Sequence, residues 1–525
     1  MDGRILYLNL DDETIREERV SGFSVSSLYA MVDAQSFAFA FPSSVLALAV
    51  FISPQDHRLV RFAAACRLAG TMSRLGITAL IVRGMSHKLS YLYASDDDLS
   101  IYHCENIRFS SARRFAQVLC SSSEDGHLAI GEAGERQSPL ASCIVDTGLS
   151  IGCGLAAVMG AANFKGIVSH TASPAAAAET LPARKGLMKE LSVYGGISLV
   201  DYGLSGGWLP VKYYQGYYDP RCSNLDGRTA CRIYNVEHRG CQGCTASCLL
   251  FDASRQTSLP SWKDAAALGS NLGIFSLQTV TLLADKCRDC GLDTVDTGAV
   301  LACLMQREDL PYTFPSIAKA DTAELERVLS LIAARKGCGE LVSGGLSVLE
   351  DAVSLSGRSV AYDLRGAHAQ ALFCLLGETT ACHADLVYNL KVRMDDEQTG
   401  RAAAWLRLLV HAFENSGRPA IWLLAGSSLK RWLPLMTRPF FLRRMMLSLF
   451  RRHGLDLVSA LESVDSFDAV FGPMERLPQQ FSLPSVVGYT DEVNIVKLTL
   501  GYSRELDWIR SNAVKVKKQS VVSQP

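Results

Sequence analysis

The first 170 residues read as short apolar runs separated by Gly, Ser and Asp clusters, a pattern of strands and turns. Strands are expected at Arg4–Leu10, Val45–Ile52, Ile77–Val82, Leu128–Ile130 and Gly166–Val168, with helices around Leu59–Arg74 and Ser111–Cys120. The alanine- and proline-rich stretch at 171–186 then looks like a connection. Beyond it the period changes to that of helices. Leu277, Val280, Leu283 and Cys287 recur at helical spacing between a serine start at Ser276 and a stop at Gly291. Further helices are expected at Ala323–Lys336, Gly400–Phe413 and Arg438–Arg452, and the polar tail Lys515–Pro525 should fray. No internal repeat is evident.

Composition narrows the classes. The 525 residues carry 52 basic and 53 acidic side chains, a formal net charge of −1, which argues against a dedicated nucleic-acid or anionic-membrane binder. A 48% hydrophobic, 20% charged chain of this length has ample core for about two to four domains. Apolar runs such as Val45–Ile52 fall well short of the roughly 20 residues of a spanning helix, so no membrane span is expected. The opening residues lack a cationic, then apolar export signal, so the expected location is the cytoplasm.

Sixteen cysteines in such a chain read as thiols, metal ligands or small buried side chains rather than as a disulfide framework. Cys66, Cys104, Cys120, Cys143, Cys153, Cys303, Cys338 and Cys374 are isolated, and burial explains them. Cys287 and Cys290 end a helix, where packing is the favoured reading of their C-x-x-C spacing. Cys241, Cys244 and Cys248 differ. Their C-x2-C-x3-C spacing lets three thiolates converge where a turn would feed the start of a helix, and soft sulfur ligands suit an iron–sulfur cluster or zinc. A closed site needs a fourth ligand from elsewhere.

Around this triad the chain resembles the aldehyde ferredoxin oxidoreductase family of tungsten or molybdenum pterin enzymes. The segments that carry the resemblance begin with Gly3-Arg-Ile-Leu-Tyr-Leu-Asn-Leu, Ile130-Gly-Glu-Ala-Gly-Glu135 and Gly154-Leu-Ala-Ala-Val-Met-Gly-Ala-Ala-Asn-Phe-Lys-Gly-Ile167. After the cysteines come Ala267-Leu-Gly-Ser-Asn-Leu-Gly273, Gly291-Leu-Asp-Thr-Val-Asp-Thr-Gly298, Arg335-Lys-Gly-Cys-Gly-Glu-Leu-Val-Ser-Gly344, Tyr362-Asp-Leu-Arg-Gly366 and Ala381-Cys-His383, in the family's order. The resemblance implies an α+β protein: a β-rich N-terminal pterin-binding base at 1–170, a helical domain with the cysteine cluster at 171–352, and a C-terminal helical domain at 353–525. It also implies an oxidoreductase that oxidises a small aldehyde, or reduces a carboxylate, at a tungsten- or molybdenum-bispterin. Electrons would pass through a [4Fe–4S] cluster to ferredoxin or another carrier, in a homodimer or a redox-subunit complex.

Carried over residue by residue, Cys241, Cys244 and Cys248 become cluster ligands, with Cys382, Cys287, Cys290 or a non-thiolate group open as the fourth; Cys382 is the choice taken here. His383 takes the place of a proton-transfer histidine. Arg61 matches an arginine between cluster and pterin, although a surface arginine is the plainer reading. Gly154, Gly160, Asn163, Lys165 and Asp293 fall on the pterin side, where backbone amides and cations favour a phosphate. Departures cluster at these positions. Gly152-Cys153-Gly154 replaces Arg-Gly-Gly, Lys263 stands where the family has a glutamate near the metal, and no cysteine follows Cys382. Together they motivate an alternative: a family member without the metal pterin, acting as a structural or electron-transfer subunit.

Overall fold

A computed structural model describes residues 2–122, 124–152, 154–173, 187–216, 218–240, 246–307, 322–349, 352, 359, 361–363, 376, 378–380, 396–418, 439–471 and 495–521. Among the described residues the strands are β1 Gly3–Asn9, β2 Thr14–Val20, β3 Ser36–Ala40, β4 Leu46–Ile52, β5 Leu59–Ala65, β6 Ile77–Arg83, β7 Ser90–Ala94, β8 Leu99–His103, β9 Gly126–Ile130, β10 Cys143–Val145, β11 Ser150–Ile151, β12 Phe164–Ser169, β13 Val236–Arg239, β14 Leu249–Asp252, β15 Thr257–Ser258 and β16 Glu378–Thr380. The first helices are α1 Arg67–Arg74, α2 Ala112–Leu119, α3 Glu132–Glu135, α4 Leu155–Ala161, α5 Leu187–Tyr194, α6 Leu199–Gly206, α7 Gly227–Ile233 and α8 Trp262–Ala265. They are followed by α9 Leu277–Cys290, α10 Thr294–Leu304, α11 Thr322–Ala334, α12 Asp396–Asn415, α13 Pro439–Arg452, α14 Leu457–Phe471 and α15 Ile495–Val521.

Strands come first and helices later, so the α+β class holds. Seven strands form one sheet in the order β16-β5-β4-β3-β6-β1-β2, and six form a second in the order β11-β10-β9-β12-β7-β8. β3, β4, β5 and β6 are buried along nearly their whole length. A strand covered on both faces reads as a near-continuous apolar run, as β4 does throughout and β3, β5 and β6 do but for Ser36, Arg61, Thr78 and the terminal Arg83. Helices α1 and α4 lie between the two sheets, and Phe37 of β3 meets Phe164 of β12 there, with ring centroids 5.8 Å apart. The outer strand β2 is charged and largely exposed, which suits an edge that must not recruit other strands.

One helix expectation fails: Leu59–Arg74 splits into β5 and α1. Its alanines are compatible with either state, and pairing with β4 on one side and β16 on the other settles it as strand. The helix from Ser276 forms as read. Ser276 accepts a hydrogen bond from the Thr279 amide, and Gly291 closes the helix in the left-handed region at φ 71°.

In the C-terminal part, α12 packs along α15 and α14. This bundle meets the N-terminal part at Tyr29, in the turn between β2 and β3, whose ring lies edge-on to Phe467 at 5.4 Å, and meets the large sheet through Arg61 of β5. Among the described residues no helix is long and apolar enough to cross a membrane.

Candidate functional site

The cysteine motif sits in a hairpin. β13 and β14 pair antiparallel with Arg239 opposite Leu249, so residues 240–248 are the connection between them. Cys241 and Cys244 lie outside the described residues. Cys248 is buried at the base of the loop, and its carbonyl accepts the Gly196 amide at 2.7 Å. A strand, β14, follows Cys248 where the spacing suggested a helix start. Leu249-Leu-Phe251 pairs into the small sheet, and that pairing decides the local state.

Three thiolates supplied by one short loop fit a soft metal or an iron–sulfur cluster. Among the described residues, no group of three or more His, Cys, Asp and Glu is arranged to hold a metal. Cys287 and Cys290 are buried at the end of α9. Burial pushes the Cys290 thiol up to about 11 and that of Cys287 well above its usual value. Both are held as thiols, which agrees with packing. Cys382 and His383 lie outside the described residues; the chain last seen before them is β16, where Thr380 pairs with Ala63 of β5.

The glycine-rich segment lies against the start of α10. Gly154 adopts φ 88° as the N-cap of α4, a conformation that favours glycine, and a side chain there would strike Pro54. A Cβ on Gly152 would strike the Asp293 carboxylate. Asp293 is itself the N-cap of α10. Its Oδ1 accepts the amides of Val295 and Asp296, each at 2.9 Å. Burial raises its pKa; the Asp296 and Val295 amides oppose the rise, Asp264 adds to it and the Lys263 charge opposes it. Gly160 lets α4 press onto α3, because a Cβ there would strike the Gly134 carbonyl.

Asn163 and Lys165 have partners inside their own domain. Asn163 Nδ2 donates to the Ser86 carbonyl at 2.8 Å, and Lys165 Nζ donates to the Ser110 carbonyl at 2.8 Å and pairs with Glu135. Burial lowers the Lys165 pKa and the neighbouring Glu135 charge opposes the fall.

Lys263 stands one residue into α8, which opens on a capping box: Ser261 accepts from the Asp264 amide, and the Asp264 carboxylate accepts from the Ser261 amide. The helix widens into a π-turn over Ala266–Ser270, a distortion common at functional sites. Next to Lys263, Trp262 is fully buried in a three-ring cluster, 5.2 Å from Trp208 and 4.9 Å from Tyr362. Among the described residues its indole N–H has no hydrogen-bond partner, and neither does the buried hydroxyl of Thr297 on the neighbouring α10.

Arg61 is buried, 2% exposed, so the surface-arginine reading does not hold. Its guanidinium pairs with Glu414 and donates to Asn415 Oδ1 at 3.2 Å, both on α12. Asn415 donates in turn to Ser463 Oγ at 2.8 Å, and His411 Nδ1 lies 3.1 Å from the same hydroxyl. Neither Glu414 nor Trp262 was singled out from the sequence. For Trp262 the capping box around it was the available signal; for Glu414, in a helix far along the chain, there was none.

With this arrangement in view, two family models match the chain. Residues 31–171 match the N-terminal domain of aldehyde ferredoxin oxidoreductase, and residues 175–418 match its domains 2 and 3, together well over half of the chain. The chain belongs to the aldehyde ferredoxin oxidoreductase family, a family of oxidoreductases. The tungsten-containing aldehyde ferredoxin oxidoreductase of Pyrococcus furiosus is 26% identical over 343 residues, 59% of this chain and 57% of the relative. This chain therefore matches little more than half the length of that relative. The protein of the same description from Pyrococcus horikoshii is 23% identical over 446 residues, 73% of each chain. An aliphatic sulfonate oxidoreductase, WOR-like subunit, from Pyrococcus furiosus is 20% identical over 339 residues, 56% of this chain and 53% of the relative. Among solved structures, the active site complex BamBC of benzoyl coenzyme A reductase, in complex with 1,5-dienoyl-CoA, superposes with a TM-score of 0.64 at 14% identity over 100% of both chains. At that identity the likeness speaks for the fold alone.

Proposed function

We propose that the chain exchanges two electrons with a small aldehyde/carboxylate pair at a tungsten- or molybdenum-bispterin and passes them through a [4Fe–4S] cluster to ferredoxin or a similar carrier. The observation that carries this reading is the β13–β14 hairpin, which delivers Cys241, Cys244 and Cys248 in one loop of a chain from this family. Cys382 completes the ligand set in the same proposal. The pterin-bound metal, when present, supplies the two-electron redox change. Gly152 and Gly154 admit close backbone approach, and Asn163 and Lys165 brace the segment from beneath through Ser86, Ser110 and Glu135. Asp293 faces the pterin side. Lys263 offers an ammonium to the carboxylate of the product, and His383 moves the proton that enters or leaves its oxygen. In the same proposal Arg61, held by Glu414 and Asn415, would stand between the cluster and the pterin. The division into domains at 1–170, 171–352 and 353–525 belongs to the same reading.

A second reading has its own support. Asn163, Lys165 and one oxygen of Asp293 are already engaged by protein groups, as expected of a member that keeps the fold without the metal pterin and serves as a structural or electron-transfer subunit. Anaerobic purification with elemental analysis for Fe, W, Mo and Zn separates the two. Four irons with one tungsten or molybdenum per chain support the enzyme, whereas iron alone favours the electron-transfer subunit. In either case Cys244→Ser should lose the visible cluster absorbance, and an unchanged spectrum removes the cluster.

A further inference from the structure

Burial does not account for Cys120, which is only half-buried although it stands alone in the sequence. It closes α2, where its amide donates to the Ala116 carbonyl at 2.9 Å. Its thiol faces His127 of β9, with Sγ 3.7 Å from Nδ1. Both side chains line a cavity of about 370 Å³ together with Arg67, Gln117, Ser122 and Asp125. Gln117 and Ser122 are exposed, so the cavity reaches solvent. β9 belongs to the six-stranded sheet, whereas the cysteine hairpin belongs to the three-stranded one.

A firm frame holds the two side chains. The His127 amide donates to Asp146 Oδ2 at 3.2 Å, and the His127 carbonyl accepts the Asp146 amide at 3.0 Å. A Cβ on the adjoining Gly126 would strike the Leu68 backbone, so β9 is pressed against α1. In the loop between Cys120 and His127, Asp125 accepts the Ser121 and Ser122 amides at 2.6 and 3.1 Å, and its other oxygen lies 2.7 Å from His170 Nδ1. Among the described residues the Cys120 thiol is the one hydrogen-bond partner of the His127 ring. Burial lowers the His127 pKa to about 4; the Arg67 charge adds to the fall and Asp125 opposes it. Near pH 7 the imidazole is therefore neutral and keeps one bare nitrogen, the form that binds metals.

We propose that Cys120 and His127 bind one soft monovalent cation, copper(I), between them, at a site separate from the pterin and cluster chemistry proposed above. A two-coordinate ion needs no more than these two ligands, whereas zinc asks for three or four from the protein. Thiolate sulfur selects copper(I), and imidazole suits it as well. First-row metal bonds to imidazole nitrogen and thiolate sulfur are about 2.0 and 2.3 Å, so a gap of 3.7 Å is the width of one bridging ion. On binding, the S–H bond breaks, bonds from copper to sulfur and to nitrogen form, one proton goes to solvent and no electron moves. The thiolate–copper(I) unit is then neutral. Beside the Arg67 guanidinium that suits the site better than the residual positive charge of a zinc–thiolate unit. The ion ties the end of α2 to β9 across the 121–126 loop.

Equilibrium dialysis of the full-length, anaerobically purified protein tests this, with copper(I) buffered at nanomolar free concentration by bicinchoninate and ascorbate, and copper and iron counted per chain. Cys120→Ser and His127→Gln should each bind one copper fewer than the parent, and the double variant should also lose one rather than two. Cys231→Ser, at an exposed cysteine of α7, should bind as many as the parent. Copper should raise the melting temperature more in the parent than in Cys120→Ser, since an ion held only by the folded chain stabilises it. Equal copper in the parent and His127→Gln, or a loss of two in the double variant, would overturn the proposal and leave a plain thiol–imidazole contact. The count is a difference between variants with the same hairpin, so it holds whether or not iron is found there.

Discussion

A guanidinium in the middle of a sheet needs a carboxylate, and Arg61 of β5 finds Glu414, 353 positions further along the chain. Both side chains are nearly fully buried, at 2% and 3% exposed. Removing one partner of such a pair strands the other charge in a medium that solvates it poorly. Glu414→Gln should therefore cost about 3–5 kcal/mol in a denaturant titration, with the C-terminal helices loosened from the sheet. A loss under about 1 kcal/mol would mean that water reaches the pair. Lys165 and Glu135 repeat the device within the N-terminal part. At this scale residue types were legible from the sequence and partners were not. Arg61 read most plainly as a surface residue, because an isolated arginine usually is one, and nothing near it in the chain announces Glu414.

Where chemistry and local period agree, the elements followed from the sequence. Helix α9 has its serine cap, its apolar stripe and its glycine stop within one stretch, so both ends were readable. β5 was not, since alanine-rich segments take the state their neighbours impose, and those neighbours include β16 from the distant 378–380 segment. Contact between elements imposes its own demands. α4 crosses α3 at Gly160, where a Cβ would strike a backbone carbonyl rather than a flexible side chain. Gly160→Ala should thus cost about 1–3 kcal/mol by forcing the two helices apart. A melting temperature equal to the parent's would show that the helices can separate without loss. The prediction concerns packing, and it holds whether or not a pterin lies above this segment.

For the whole molecule, the β13–β14 hairpin is the feature on which the proposed chemistry turns. A metal bound only by the folded loop stabilises it, so removal of iron should raise local opening there. Limited proteolysis after anaerobic chelation should show new cleavage within 240–248 while the two large sheets stay resistant. A digestion pattern identical with and without chelator would detach the loop from any metal. The sequence by itself determined the α+β class, the order of strands before helices, the spacing of the cysteine motif and the family, because these rest on period, spacing and motif order along the chain. Tertiary structure alone decided that the strands flanking the cysteine motif pair with each other, that β16 joins β5 and that Arg61 is buried against α12. It also brought Lys263, Asp293 and the glycine-rich segment together at the start of α10. Those outcomes depend on pairing and burial between segments up to several hundred residues apart, where no local pattern carries the information.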